Sequence, residues 1–194
     1  PTAYMRIGTR LWATIVGALT KSPTGNGNVG TAAMADPRRY APSAERNREP
    51  IAGTLARFAP WSGQAAFDVL EIASGTGQHA AYLAERFPLS TIWPTEYGGG
   101  SAGPEASAYG SLDPVFGSIL AHCNGIANVK APAELDAGAA VWPAEMEANR
   151  FGAIYACNVC HISPYAVTEG IFAGAGRLLS PSGGLFIVRD PFGS

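Results

Sequence analysis

Short apolar runs alternate along this chain with stretches in which apolar residues recur at intervals of three and four. The runs are 67–72, 91–93, 128–129, 151–158 and 185–188. The stretches with helical spacing are 80–87, 114–123 and 167–179. Runs of this length predict buried strands, and the spacing predicts helices with one apolar face. The alternation predicts an α/β fold, in which right-handed crossovers join a doubly wound, mostly parallel sheet.

A further helix is predicted ahead of the first strand. Pro50 suits a first helical turn, and Ile51, Leu55 and Phe58 then share one face. The polar string at 43–49 is interpreted as a solvated, capped start to that helix.

The last predicted helix contains three glycines, at Gly170, Gly174 and Gly176. Each weakens a helix by roughly 1 kcal/mol relative to alanine. Such glycines are tolerated where a helix packs unusually close to the sheet, so we expect close packing here.

The chain has 194 residues, of which 47% are hydrophobic and 14% charged, and this predicts one lightly charged globular domain. A net charge of −2 without a basic stripe argues against nucleic-acid binding by phosphate neutralisation. No apolar run reaches the roughly 18 residues that span a membrane. The 3 cysteines cannot form a disulfide framework and fit a reducing compartment, so a cytoplasmic location is expected.

The first 36 residues differ from the rest. They contain Arg6, Arg10 and Lys21 but no acid before Asp36, and serine and threonine recur. This composition fits either a flexible tail or part of a segment that targets a mitochondrion or plastid. We therefore divide the chain into a tail at 1–36 and a domain at 37–194.

The first strand leads into an acid followed by small residues: Glu71, Ala73, Ser74, Gly75, Thr76 and Gly77. Glycines let a ligand approach the main chain, and the N–H groups of the following helix suit a polar or anionic group. Gly75-x-Gly77-x-x-Ala80 also matches the dinucleotide fingerprint, so NAD is one candidate ligand. The stretch resembles motif I of the class I S-adenosylmethionine (SAM) methyltransferases as well. In that class the acid can receive the cofactor's ammonium group, either directly or through water, and a dinucleotide has no such cation.

Two further acids fit a nucleoside ligand. Glu96 follows the second strand, 19 residues beyond Gly77 (96 − 77 = 19), where a carboxylate can accept both ribose hydroxyls of SAM or of NAD. Asp136 follows the third strand and is a candidate partner of the adenine amino group, or else a loop cap.

Several motifs together resemble the methyltransferase-like family called domain of unknown function 938. They are Ser43-Ala44-Glu45-Arg46-Asn47 with Pro50, Leu70 to His79, and Asn158-Val159-Cys160-His161-Ile162-Ser163-Pro164. The resemblance covers about residues 40 to 192 and implies a Rossmann-like, SAM-binding fold. Two features depart from it: an insertion at 97–111, and an end at Ser194, just after the fifth strand. We therefore expect a C-terminally truncated chain.

The candidate chemistry lies after the fourth strand. His161 is the candidate general base, because its unperturbed pKa lies near neutrality, and the alternative is a structural histidine bonding a loop carbonyl. Asn158 is a candidate for orienting the acceptor or the cofactor amine. Arg46 and Asn47 are candidates for a lid over the cofactor.

Metal and haem chemistry are not predicted. Cys157-x-x-Cys160-His161 matches a haem attachment pattern, but its cysteines end a predicted buried strand. Zinc would require further ligands beyond His122 and Cys123.

Three functions are compatible with these patterns. The favoured one is a SAM-dependent methyltransferase acting on a small molecule or a protein side chain. The alternatives are an NAD-dependent oxidoreductase and a non-catalytic binding module with a SAM-type fold.

Overall fold

The computed structural model describes residues 36–58, 66–98 and 114–190. The helices are α1 (Pro42–Phe58), α2 (Gln78–Arg86), α3 (Pro114–His122), α4 (Ala144–Glu147) and α5 (Tyr165–Leu178). The strands are β1 (Asp68–Ile72), β2 (Thr91–Glu96), β3 (Ala133–Glu134), β4 (Ala153–Cys157) and β5 (Leu185–Arg189). The predicted tail at 1–36, apart from Asp36, and the predicted insertion at 97–111, beyond Gly98, lie outside the described residues.

The five strands form one parallel sheet in the order β3-β2-β1-β4-β5. This confirms the predicted α/β fold with a doubly wound sheet. Successive strands run outward from β1 in one direction and then, from β4, in the other. The order therefore reverses between β1 and β4, and ligands of open α/β sheets bind beside such a reversal, at the carboxyl ends of the strands.

Each face of the sheet has its own apolar layer, because side chains alternate between the two faces of a strand. Val69 and Tyr155 pack on one face with α1 and α2, and Leu70 and Ile154 pack on the other with α5. The residues central to both layers are fully buried. Glu71 follows the same alternation and lies on the α1 and α2 face.

Helix α1 differs from the prediction, since it begins at Pro42 and contains Pro50 in its interior. A proline there costs a helix roughly 3 kcal/mol. Tertiary contacts of the polar half offset this cost. Asn47 is buried, Glu45 accepts a hydrogen bond from the Gln78 amide at 3.2 Å, and the Arg48 guanidinium lies 4.8 Å from the centre of the Tyr82 ring. The polar string at 43–49 does form the first turns of the helix, and Glu45, Arg46 and Glu49 are exposed as expected, but Asn47 is buried and Pro50 does not mark the first turn.

The third strand also differs from the prediction at 128–129. Val129 forms only an isolated bridge with Ile92, and the strand itself is the two-residue β3. Pro132 lies between the two pairings, and a proline cannot donate to a strand ladder. The break therefore follows from the missing N–H group.

Two of the three glycines in α5 lie where a side chain would not fit. A Cβ atom on Gly170 would lie 1.9 Å from the Ala137 carbonyl oxygen, and one on Gly174 would lie 2.2 Å from the Trp142 ring. Gly176 has no such neighbour within 4 Å. Close packing of α5 is thus confirmed at Gly170 and Gly174, but against the segment after β3 and not against the strands.

Among the described residues, none of the helices combines the length and the apolar character that a membrane span requires.

Candidate functional site

A cavity of about 820 Å³ opens at the carboxyl edge of the sheet. The loops after β1, β2 and β4 line it, together with the segment after β3 and the start of α1. This volume lies in the range of roughly 300–1,000 Å³ that is typical of small-molecule sites. The cavity therefore lies where the strand order predicts a ligand.

The loop after β1 bends sharply toward this cavity. Ala73 and Gly75 both have left-handed backbone conformations, with φ values of 57° and 55°. A Cβ atom on Gly75 would meet nothing within 4 Å, whereas one on Gly77 would lie 2.6 Å from the Cα atom of Ile119. Gly75 lines the cavity, as do Ala73, Ser74 and Thr76. Gly77, which is not among the lining residues, instead allows the turn to pack on α3.

Glu96 joins the end of β2 to this turn. Its Oε2 accepts the Gly75 N–H at 2.7 Å, and its Oε1 accepts the Tyr97 N–H at 2.9 Å. The Thr95 hydroxyl donates to the Glu71 carbonyl oxygen at 2.6 Å, so the ends of β1 and β2 are linked a second time. The carboxylate is half-buried and lines the cavity. An acid and a glycine turn, predicted separately from the sequence, thus form one hydrogen-bonded unit.

The Glu71 side chain is almost completely buried, with 1% of its surface exposed. Its Oε1 lies 3.6 Å from Nδ1 of His79, and its Oε2 has no hydrogen-bond partner among the described residues. Glu71 is not among the residues that line the cavity, but His79 is. A direct approach of a ligand to Glu71 is therefore not open in this structure, and of the two routes expected from the sequence only the one through water remains.

His79 connects Glu71 to the start of α1. Its Nε2 lies 3.1 Å from the Ala44 carbonyl oxygen, which only accepts hydrogen bonds, so this nitrogen is the donor. Burial on its own lowers the pKa of His79, but the Glu71 carboxylate and the Ala44 carbonyl outweigh it, and the net pKa is raised. Burial, followed by the Glu71 carboxylate, raises the pKa of Tyr155 on the neighbouring strand well above its usual range.

The first turn of α1 and the residue before it form one side of the cavity, through Ala41, Ser43 and Ala44. Gln78 fastens this part of the chain: its Oε1 accepts the Ala41 N–H at 2.7 Å and the Thr76 hydroxyl at 2.9 Å.

The two residues predicted to form a lid lie elsewhere. Arg46 is exposed, and Asn47 is buried with its Nδ2 donating to the Cys157 sulfur at 3.4 Å. Neither lines the cavity. The start of α1, and not Arg46 and Asn47, therefore borders the space that a ligand would fill.

Asp136 and Asn158 both line the cavity. Asp136 is exposed, and its Oδ1 accepts the Gly138 N–H at 2.9 Å, as in a loop cap. Asn158 has a left-handed φ of 59°, and its N–H donates to the Arg189 carbonyl oxygen at 2.8 Å. Asparagine tolerates this conformation better than most residues do. The side chain of Asn158 is thus carried on a bend directly after β4.

His161 lies beyond the cavity lining, next to Ile162, Ser163 and Pro164, which do line it. Its Nδ1 is 2.6 Å from Oδ1 of Asp190, a residue that the sequence analysis did not single out. The side chain of Asp190 is fully shielded from solvent. An acid directly after the fifth strand, at the same sheet edge as Glu96 and Asp136, is the signal that would have identified it.

The three cysteines are protonated thiols at neutral pH. Burial raises the pKa of Cys123 to about 12 and also raises the pKa of Cys157 and of Cys160. Thiolate is the form that binds metals. Within 36–58, 66–98 and 114–190, no three or more His, Cys, Asp or Glu residues come together in a group that could hold a metal ion.

The strand order and the cavity at its reversal define a Rossmann-like fold, and solved structures of methyltransferases share this fold. A CurJ carbon methyltransferase is similar in structure, with 17% identity and a TM-score of 0.52 over 75% of this chain and 34% of that chain. The CcbJ methyltransferase from Streptomyces caelestis matches with 20% identity and a TM-score of 0.50, over 73% of this chain and 48% of that one. At these identities the likeness concerns the fold. The chain spans about a third to a half of these relatives.

Residues 38–193 match the family described as "Protein of unknown function (DUF938)". This match covers most of the chain, so the protein belongs to that family. The resemblance inferred from the sequence motifs is thereby confirmed.

Proposed function

We propose that this protein is a SAM-dependent methyltransferase that acts on a small molecule or a protein side chain. The observation that carries the proposal is the 2.7 Å hydrogen bond from the Gly75 N–H to the Glu96 carboxylate, at the edge of an 820 Å³ cavity. It supports a role for this carboxylate as the acceptor of ribose hydroxyls, because the turn beside it can be approached closely by a ligand. The fold supports the same proposal.

The residues at the cavity fit such a cofactor. Gly75 leaves open space where any other residue would place a Cβ atom. Glu96 would hold the ribose, Asp136 the adenine amino group, and Asn158 the aminoacyl end. Glu71 has a buried carboxylate oxygen without a partner among the described residues, and this oxygen suits the cofactor's ammonium group through a bridging water. His79 would lie between Glu71 and that group.

When bound, SAM supplies an electrophilic methyl group on a sulfonium centre. The protein's own residues align the acceptor, exclude water and take up a proton. Ile162 and Pro164 border the cavity and Ile162 is 75% exposed, which suits an apolar part of an acceptor. His161, beside them, is the residue that we assign as general base.

The test is calorimetric titration of the folded, complete chain with SAM, with S-adenosylhomocysteine and with NADH. We expect saturable heat with the first two ligands and none with NADH. Absence of heat with both adenosyl compounds would reject the proposal. Binding of NADH in competition with SAM would favour the oxidoreductase instead.

A further inference from the structure

Asp190, an acid outside the predicted site, lies within hydrogen-bond distance of His161, the candidate base. Oδ1 of Asp190, which follows β5, lies 2.6 Å from Nδ1 of His161 and 3.4 Å from the backbone nitrogen of the same residue. The two residues are separated by 29 positions in the chain, so the fold brings them together. The His161 side chain is 36% exposed, whereas that of Asp190 is fully shielded.

This geometry fixes where the histidine carries its proton. An ionised carboxylate only accepts hydrogen bonds, so Nδ1 of His161 must be the donor in the 2.6 Å contact. The neutral ring then carries its hydrogen on Nδ1 and keeps the lone pair on Nε2. The backbone contact to the same oxygen restricts the carboxylate as well, because one Asp190 atom faces two groups of His161.

We propose that Asp190 is a positioning residue that holds His161 in the Nδ1–H tautomer and stabilises the imidazolium formed when Nε2 accepts a proton. The proposal rests on the proposed methyltransferase function and adds to it the class of acceptor: a group with an O–H or N–H bond that must lose a proton.

Methyl transfer to such an acceptor requires a proton to leave it. The O–H or N–H bond breaks and its proton passes to Nε2 of His161. The electron pair left on the acceptor forms the bond to the methyl carbon, while the carbon–sulfur bond breaks and its electrons remain on sulfur. Asp190 keeps its charge throughout, and its charge offsets that of the imidazolium.

The placement of Asp190 fits this role better than that of a surface ion pair. Exposed ion pairs contribute little to stability, yet the Asp190 side chain is shielded, and its Oδ2 has no partner among the described residues. The shielded carboxylate also interacts with the thiol of Cys160, the residue before His161, so it is held among the residues that follow β4 and orients His161 there. The residues that follow His161 line the cavity, so the ring that Asp190 orients lies next to the candidate site.

The first test determines the tautomer of His161 in the absence of any cofactor. Nitrogen-15 NMR of the complete chain, with His161→Gln used to assign the signals, should show the Nδ1–H tautomer in neutral His161. Asp190→Asn and Asp190→Ala should both lower the Nδ1–H fraction. Asp36→Asn, which alters an exposed acid paired with Arg38, should leave it unchanged. An Nε2–H tautomer in the wild type, or no change in either variant, would overturn the proposal.

The second test separates positioning from binding. We expect Asp190→Asn to slow tritium transfer from methyl-labelled SAM to acceptors in a cell extract by roughly 10- to 100-fold. This is less than the roughly 10²–10⁴-fold contribution of a general base, because Asp190 only orients the base. The Kd for S-adenosylhomocysteine should not change. An unaltered rate in a folded variant would reject the role of Asp190. A wild type with the expected tautomer that binds neither adenosyl compound would reject the methyltransferase function instead.

Discussion

The carboxylate of Glu71 lies 3.6 Å from Nδ1 of His79, on the face of the sheet that α1 and α2 cover. Both side chains are buried, and the other nitrogen of His79 donates to the Ala44 carbonyl oxygen. His79 therefore connects the acid of the motif to the beginning of α1. The contact with Glu71 is attractive when Nδ1 carries a hydrogen, whereas the bond to Ala44 needs only a hydrogen on Nε2.

We predict that the free energy of unfolding decreases as the pH rises above neutrality. The pKa of His79 is raised in the folded protein, while an unfolded histidine titrates near about 6.5. The stabilisation is therefore complete below the unfolded pKa and is lost as the pH rises through the folded one. The pH dependence of this stabilisation can be measured by urea unfolding of the wild type and of His79→Gln at a series of pH values.

The control for this prediction is His122→Gln. His122 is a half-buried histidine that also contacts a backbone carbonyl, that of Arg39, at 2.9 Å, and no acid is paired with it among the ion pairs of the described residues. The difference in stability between wild type and His79→Gln should shrink as the pH rises, and it should do so more steeply than the corresponding difference for His122→Gln. Equal behaviour of the two variants would contradict a coupling of His79 to Glu71.

Glu96→Gln should weaken the binding of S-adenosylhomocysteine by roughly 10- to 100-fold. A hydrogen bond to a charged group contributes about 1.5–3 kcal/mol, and glutamine offers only one neutral acceptor oxygen. The matched control is Glu134→Gln, because Glu134 pairs with Glu96 in the sheet register but is exposed and does not line the cavity. Calorimetry should separate the two, and equal affinities would count against the ribose assignment.

Two glycines of α5 should respond oppositely to alanine. Gly174→Ala places a methyl group against the Trp142 ring and should destabilise the protein by roughly 1–3 kcal/mol. Gly176→Ala, two residues further along the same helix, meets open space and should stabilise it by about 0.5–1 kcal/mol. Thermal unfolding of both variants tests the difference. A stabilised Gly174→Ala would show that the helix and Trp142 can move apart.

The glycines of the turn should also differ. Gly77→Ala combines a φ of 87° with a contact at 2.6 Å to the Ile119 backbone, and should lose at least about 2 kcal/mol of stability. Gly75→Ala has only the left-handed conformation to overcome and should lose about 1–2 kcal/mol.

The two substitutions should rank in the opposite order when ligand affinity, and not stability, is measured. Gly75 lines the cavity, so its variant should bind S-adenosylhomocysteine more weakly than Gly77→Ala does once both are measured well below their unfolding temperatures. Calorimetry at low temperature provides that comparison. The opposite ranking would mean that the turn binds ligand through Gly77.

The sequence was sufficient for features that depend on local pattern and on strand direction. Apolar runs predicted the strands, and parallel strands bring the residues at their ends to one edge, so Glu96, Asp136 and Asn158 meet at one cavity. The sequence was not sufficient where contacts between residues far apart in the chain determine the bounds of an element. Pro50 suggested a helix start, but contacts of the preceding turns with α2 hold it inside α1.

Contacts between distant parts of the chain also determine two features that the motif does not predict: the direction of the Glu71 side chain and the partner of His161. The spacing of Glu71 from the glycines predicts a site, but its place in the strand alternation turns the side chain toward His79 and Tyr155. Asp190 meets His161 only because β5 lies beside β4 in the sheet, with Cys157 in register with Arg189. No local pattern contains that pairing.

The single side-chain amide of Gln78 bonds residues from three segments: Ala41 ahead of α1, Glu45 within it, and Thr76 in the turn. These bonds hold the start of α1, which borders the cavity, to the turn after β1. Under the proposed function, a mutation of Gln78 should therefore lengthen or shorten the residence time of a cavity ligand by changing how firmly this border is held.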